Sequence, residues 1–157
     1  MSSMETRGDP RFCQMEGPNG RGIFLRFGNV IAVGATVAFW CCIILLNENR
    51  KSAYSKLIDA IQKTHKFRTW WEAKQFFDSY TLVVDLPGNP FPAMLAPFTN
   101  EGELLRSSIA HFINDSSDAN CRFVQTGSFV SVVATRDIVE GEELLLNYGV
   151  HYDRSGF

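Results

Sequence analysis

The chain has 157 residues, enough for one domain with a core of its own. Hydrophobic residues at 45% and charged residues at 20% exclude a disordered polar chain, and a formal net charge of -2 excludes the broad basic field of a nucleic-acid binder. The cysteines, Cys13, Cys41, Cys42 and Cys121, form no C-x-x-C pair, which argues against structural zinc and for reduced thiols in a nuclear or cytoplasmic protein.

Residues 1–18 are polar, carry Gly and Pro and show no periodicity, the pattern of a flexible tail. Residues 19–157 are expected to form a single domain. It opens on the glycine turn Asn19-Gly20-Arg21-Gly22, followed by Ile23-Phe24-Leu25. A residue without Cβ lets main-chain groups approach a ligand closely, although a lone Gly-x-Gly is usually only a turn. The apolar run from Val30 to Leu46 is shorter than the ~20 residues a membrane helix needs. Gly34 breaks it and β-branched residues dominate it, so it reads as buried strands and no membrane association is expected.

Residues 47–79 read as a helical insert. Tyr54, Leu57, Ile58 and Ile61 follow helical spacing. Thr69 and Glu72 form a capping box for a second helix whose apolar face is Trp70, Ala73, Phe76 and Phe77. Lys51, Lys56, Lys63, Lys66 and Arg68 make the insert locally basic, usually the mark of a solvated face.

Tyr80 to Asp85 reads as a strand, and Pro87, Pro90, Pro92 and Pro97 force a loop after it. Asn100 and Glu103 suggest another capping box, with Leu104, Leu105, Ser108, Ile109 and Phe112 on one helical face. Residues 122–135 read as a hairpin turning at Gly127-Ser128. Glu140-Gly141 makes the next turn and Leu144 to Tyr148 the last strand.

Two stretches carry the chemistry: Asn114-Asp115-Ser116-Ser117-Asp118-Ala119-Asn120-Cys121, and Gly141-Glu142-Glu143-Leu144-Leu145-Leu146-Asn147-Tyr148. With the Gly20 to Trp40 pattern before them, they resemble the SET domain, the protein lysine methyltransferase family, in its minimal zinc-free form. That family carries Asn-His-Ser-x-x-Pro-Asn-Cys and then Gly-Glu-Glu-Leu-x-x-x-Tyr. The resemblance spans residues 19 to 152 and is weakest in the insert.

The resemblance implies a mainly β fold of small curved sheets with an α insert and a pseudoknot-like threaded C-terminal segment. It implies transfer of a methyl group from S-adenosylmethionine to a lysine of a basic peptide or histone tail. Asn19, Gly20, Arg21, Gly22, Asn114 and Asp115 would then contact the cofactor, Asn120 would hold the threaded loop, and Tyr148 would be the catalytic tyrosine. Trp40, Phe112, Phe123 and Tyr152 would wall the lysine channel. Trp40 reads equally as plain core, and Tyr148 on its own would read as the end of a core strand.

The chain departs from the family pattern in several places. Asp115 stands for His, Trp40-Cys41-Cys42 for Tyr-x-Gly, Leu146 for an aromatic residue, and Asn147 for Asp. The Asp115, Cys42 and Leu146 departures leave a second reading open, a SET-like module that binds a peptide or partner without catalysis. A metal site drawn from His111, Asp115, Asp118, Cys121 and His151 has no supporting motif spacing, so no metal is expected.

Overall fold

The computed structural model describes residues 9–40, 42–47, 50–105, 109, 112–127 and 129–150. The described residues form four small sheets and two helices. In order, they are β1 (Phe12–Gly17), β2 (Gly20–Leu25), β3 (Thr36–Trp40), β4 (Cys42–Leu45), α1 (Arg50–His65), α2 (Trp70–Tyr80), β5 (Leu82–Val84), β6 (Ala93–Ala96), β7 (Asn114–Asp115), β8 (Cys121–Thr126), β9 (Phe129–Ala134) and β10 (Leu145–Leu146). The pairings are β1-β2, β3-β9-β8 and β4-β6-β5, all antiparallel, and the parallel pair β10-β7. The mainly β architecture with a helical insert is as expected.

Part of the presumed tail is structure. Phe12 to Gly17 pairs residue for residue with β2, from Phe12 opposite Leu25 to Gly17 opposite Gly20. Pro18-Asn19 makes the two-residue turn, and Gly20 takes φ of 87°, a conformation that glycine adopts without steric cost. The ring of Phe12 is fully buried, and this anchors the strand. Its apolar residues, Phe12, Cys13 and Met15, do not alternate, and this left the strand without a legible period.

Within the apolar run from Val30 to Leu46, Thr36–Trp40 and Cys42–Leu45 are strands of two different sheets, whereas Val30 and Val33 are exposed on the irregular stretch and turn before them. β3 lies against β9, and β4 starts a different sheet against β6. Period-two alternation gives that second sheet two apolar faces. Ile44 and Ala96 face the helices with Leu57, Ile58, Ile61, Ala73 and Phe77. Val84, Ala93 and Leu95 face the main core with Trp40, Ile113, Phe123, Val132 and Tyr148. The capping box at α2 forms as predicted: Glu72 N–H donates to Thr69 Oγ1 at 3.1 Å, and Thr69 N–H donates to Glu72 Oε1 at 3.1 Å.

Two boundaries differ from the sequence reading. Tyr80 ends α2 instead of opening β5, because its ring packs edge-on against Phe76, one turn earlier, at 5.2 Å. No helix begins at Asn100. Thr99, one residue earlier, accepts from Glu103 N–H at 3.1 Å and closes a turn, and Leu104 pairs with Phe98 as a bridge. Gly102, at φ of 86°, sits in that turn against the backbone of Ala60 and Ile61 in α1. The last turn of α1 fastens it: Thr64 Oγ1 donates to Glu101 O at 2.6 Å, and His65 Nε2 lies 2.9 Å from Gly102 O. Residues 106–108, 110 and 111, where that helix was expected to continue, lie outside the described residues.

Candidate functional site

The two motif stretches meet. β7, from the first, pairs in parallel with β10, from the second, Asn114 opposite Leu145 and Asp115 opposite Leu146. Asn120 reinforces the junction. It is 2% exposed, and both ends of its carboxamide bond the second motif: Oδ1 accepts from Leu145 N–H at 2.9 Å, and Nδ2 donates to Glu143 O at 2.8 Å. Asn120 thus ties the first motif to the backbone of the second. On its other side the second motif bonds β2, with Leu25 N–H donating to Glu142 O and Leu144 N–H to Ile23 O.

Tyr148 sits at the end of this assembly, 4% exposed. Its hydroxyl donates to the carbonyl of Ile113, the residue before the first motif. Its backbone is fixed twice: Tyr148 N–H donates to Asp115 Oδ1 at 2.8 Å, and Tyr148 O accepts from Asp85 N–H at 3.0 Å. The Asp115 carboxylate thus positions the tyrosine and leaves the Asp115 backbone for the cofactor contact that the resemblance implies. Gly149 follows at φ of 94° with its Cα against the Asp85 side chain, leaving no room for a Cβ.

The glycine turn comes to the same place. Asn114 Nδ2 donates to Arg21 O at 3.1 Å and to Glu143 Oε2 at 2.8 Å, and Asn19 Nδ2 donates to Glu143 Oε1 at 3.0 Å. A Cβ on Gly22 would overlap Glu143 Oε2 and Asn114 Nδ2. The position therefore requires glycine because of packing, since its φ is not among the positive ones. A Cβ on Gly20, in contrast, would meet open space. Asn19, Gly20, Arg21, Gly22 and Asn114 thus form one cradle of main-chain groups and amides beside Glu143. Glu143 had no assigned role. The signal for it was the second glutamate of Gly-Glu-Glu-Leu, in a motif read only for its tyrosine.

Among the predicted wall residues, Trp40 and Phe123 are buried with ring centroids 6.0 Å apart, in one cluster with Tyr148 and Ile113. Trp40 Nε1 is buried and has no hydrogen-bond partner among the described residues, a donor available to a bound group. Phe112 is 37% exposed, just before the buried Ile113. Tyr152 lies outside the described residues. An open cleft of about 590 Å³ between β4, α1 and the β8-β9 turn holds none of these residues. The described residues contain no group of three or more His, Cys, Asp or Glu side chains placed to hold a metal ion. No helix among them is long and apolar enough to cross a membrane.

Among solved structures, a SET8 protein from Cryptosporidium is similar at 18% identity and a TM-score of 0.51, over 88% of this chain and 57% of that one. The structure of ATXR5 in complex with histone H3.1 mono-methylated on R26 is similar at 17% identity and a TM-score of 0.51, over 94% of this chain and 62% of that one. The chain therefore spans about three fifths of the length of these structures, and at such identities the likeness concerns the fold. No curated protein matches. The SET domain family matches residues 20–149, from the glycine turn through Tyr148, and the chain belongs to that family.

Proposed function

We propose that the protein transfers a methyl group from S-adenosylmethionine to a lysine side chain of a basic peptide, a histone tail being the favoured substrate. The carrying observation is the buried Tyr148 hydroxyl, fixed on Ile113 O where the two motif stretches join. A phenol whose proton is committed to a carbonyl meets an incoming amine with its oxygen, as an acceptor. That interaction orients the amine and leaves its lone pair for attack.

The remaining residues divide the work. Trp40 and Phe123 supply dry aromatic surface beside Tyr148. Such surroundings disfavour an ammonium and favour the neutral amine that the reaction needs. Asp115 and Asp85 hold the tyrosine backbone so that the hydroxyl keeps its place. The cradle of Asn19, Gly20, Arg21, Gly22 and Asn114 fits the amino-acid end of the cofactor, with polar atoms gathered beside an open position at Gly20. When bound there, S-adenosylmethionine supplies a methyl group carried on a sulfonium. The histone complex of ATXR5 supports the choice of a histone-type peptide, and a nuclear or cytoplasmic location follows from that choice.

The test is transfer of labelled methyl to histones and basic peptides by wild type and Tyr148→Phe. Loss of the hydroxyl is expected to lower the rate at saturating cofactor by about 100-fold or more, the range for a group that acts at the reacting atoms. Equal rates would remove Tyr148 from the mechanism. Peptide binding without transfer by either protein would support the binding-module reading.

A further inference from the structure

Glu143 is the one charged side chain among the buried residues described, at 9% exposure, and each of its carboxylate oxygens is taken by an amide: Oε1 by Asn19 Nδ2 at 3.0 Å, Oε2 by Asn114 Nδ2 at 2.8 Å. A carboxylate offers only acceptors, so it can be met only by donors. For Asn114 the constraint is complete, because its second N–H goes to Arg21 O at 3.1 Å. Turning that amide over would set its oxygen against two acceptors with no proton between. The same holds for Asn19 against Oε1. Both carboxamides therefore keep their NH2 groups inward. Neither Asn19 Oδ1 nor Asn114 Oδ1 has a hydrogen-bond partner among the described residues, and neither is a buried orphan.

We propose that Glu143 is a positioning residue that orients Asn19 and Asn114 so that this end of the site presents carbonyl oxygens and reads an ammonium. The proposal rests on the reading of the cradle as the place of the cofactor's amino-acid end. An asparagine alone serves an ammonium or a carboxylate equally well, through its oxygen or its NH2. The buried carboxylate behind it removes that ambiguity and adds negative charge. Gly22 is part of the device, since any Cβ there would occupy the space of Glu143 Oε2.

The experiment compares binding of S-adenosylhomocysteine with that of its analogue lacking the amino group, by calorimetry on the intact chain. Wild type is expected to prefer the amino compound by about tenfold or more, the range for a charge-assisted hydrogen bond. Glu143→Gln keeps the shape but sets an NH2 against one amide, which then turns its own NH2 outward, and the preference should fall several-fold. Gly22→Ala displaces the same carboxylate without removing it, and should lower the preference too. In the ligand-free protein, both side-chain amide protons of Asn114 should exchange slowly in wild type and faster in Glu143→Gln. Equal binding of the two compounds by wild type overturns this proposal and leaves the proposed function standing. An unchanged preference in a folded Glu143→Gln overturns it as well. Failure of wild type to bind either compound overturns both.

Discussion

At the scale of single residues, Asn120 ties the two motifs together with its side chain, beside the backbone bonds of the β7-β10 pair. Its carboxamide satisfies one backbone donor and one backbone acceptor of the second motif, and no water replaces it at 2% exposure. Asn120→Ala leaves Leu145 N–H and Glu143 O short of a partner, at a cost of about 3 kcal/mol for two buried groups. The midpoint of urea unfolding should fall accordingly with its slope unchanged, and an unchanged midpoint would show that the joint is held elsewhere. The resemblance implied a holding role for Asn120, and an amide with one donor end and one acceptor end suits the joining of two stretches of backbone. It did not carry the role of Asp115. Replacing histidine by aspartate looked like a loss, and only the fold reveals that the carboxylate meets Tyr148 N–H at 2.8 Å. Glu143 was obscure for the same reason: its partners Asn19 and Asn114 are remote in sequence, and nothing local marks a carboxylate as buried.

At the scale of elements, the strands and helices with strong periodicity were legible and the short or irregular ones were not. α1 and α2 bury the faces that their spacing assigns, and the β8-β9 hairpin turns at Gly127 as its composition requires. β1 escaped notice because its pairing with β2 is made by backbone bonds, to which its polar side chains add little signal. The turn at Thr99 to Glu103 imitates a helix start, since a hydroxyl accepting from a downstream N–H is common to both. What decides between them is Gly102, which takes φ of 86° with its Cα against α1. A Cβ there would stand 2.6 Å from Ala60 C and Ile61 N, helix backbone that cannot step aside. Gly102→Ala should cost about 3 kcal/mol, combining left-handed strain with overpacking. Gly88→Ala isolates the strain, because Gly88 has φ of 87° and open space around its would-be Cβ. It should cost about 1 kcal/mol. Equal losses in a denaturant titration would mean that the contact with α1 carries no weight.

At the scale of the whole molecule, Cys121 reports whether the core is closed. It opens β8 in the main cluster, packed with Trp40, Phe123 and Tyr148, and burial pushes its thiol up to about 12. Only the thiolate reacts with an alkylating reagent, so the native protein should protect Cys121 at pH 8 while the half-buried Cys13 and Cys42 are modified. Once the chain unfolds, the thiol returns to its ordinary value of 9.0 and reacts. Its alkylation rate then measures opening of the core, and S-adenosylmethionine, by binding the folded form alone, should slow it. The same shift fixes a sign for pH. A thiol raised in the folded state binds its proton more tightly there, so its contribution to stability is complete below pH 9 and declines as pH rises towards 12. Cys121→Ala removes this dependence. Wild type should lose stability more steeply than the variant between pH 9 and 10.5, as read from urea midpoints at each pH. Parallel curves, or alkylation of Cys121 as fast as Cys13 in the folded protein, would show that the sheet bearing the site opens without unfolding.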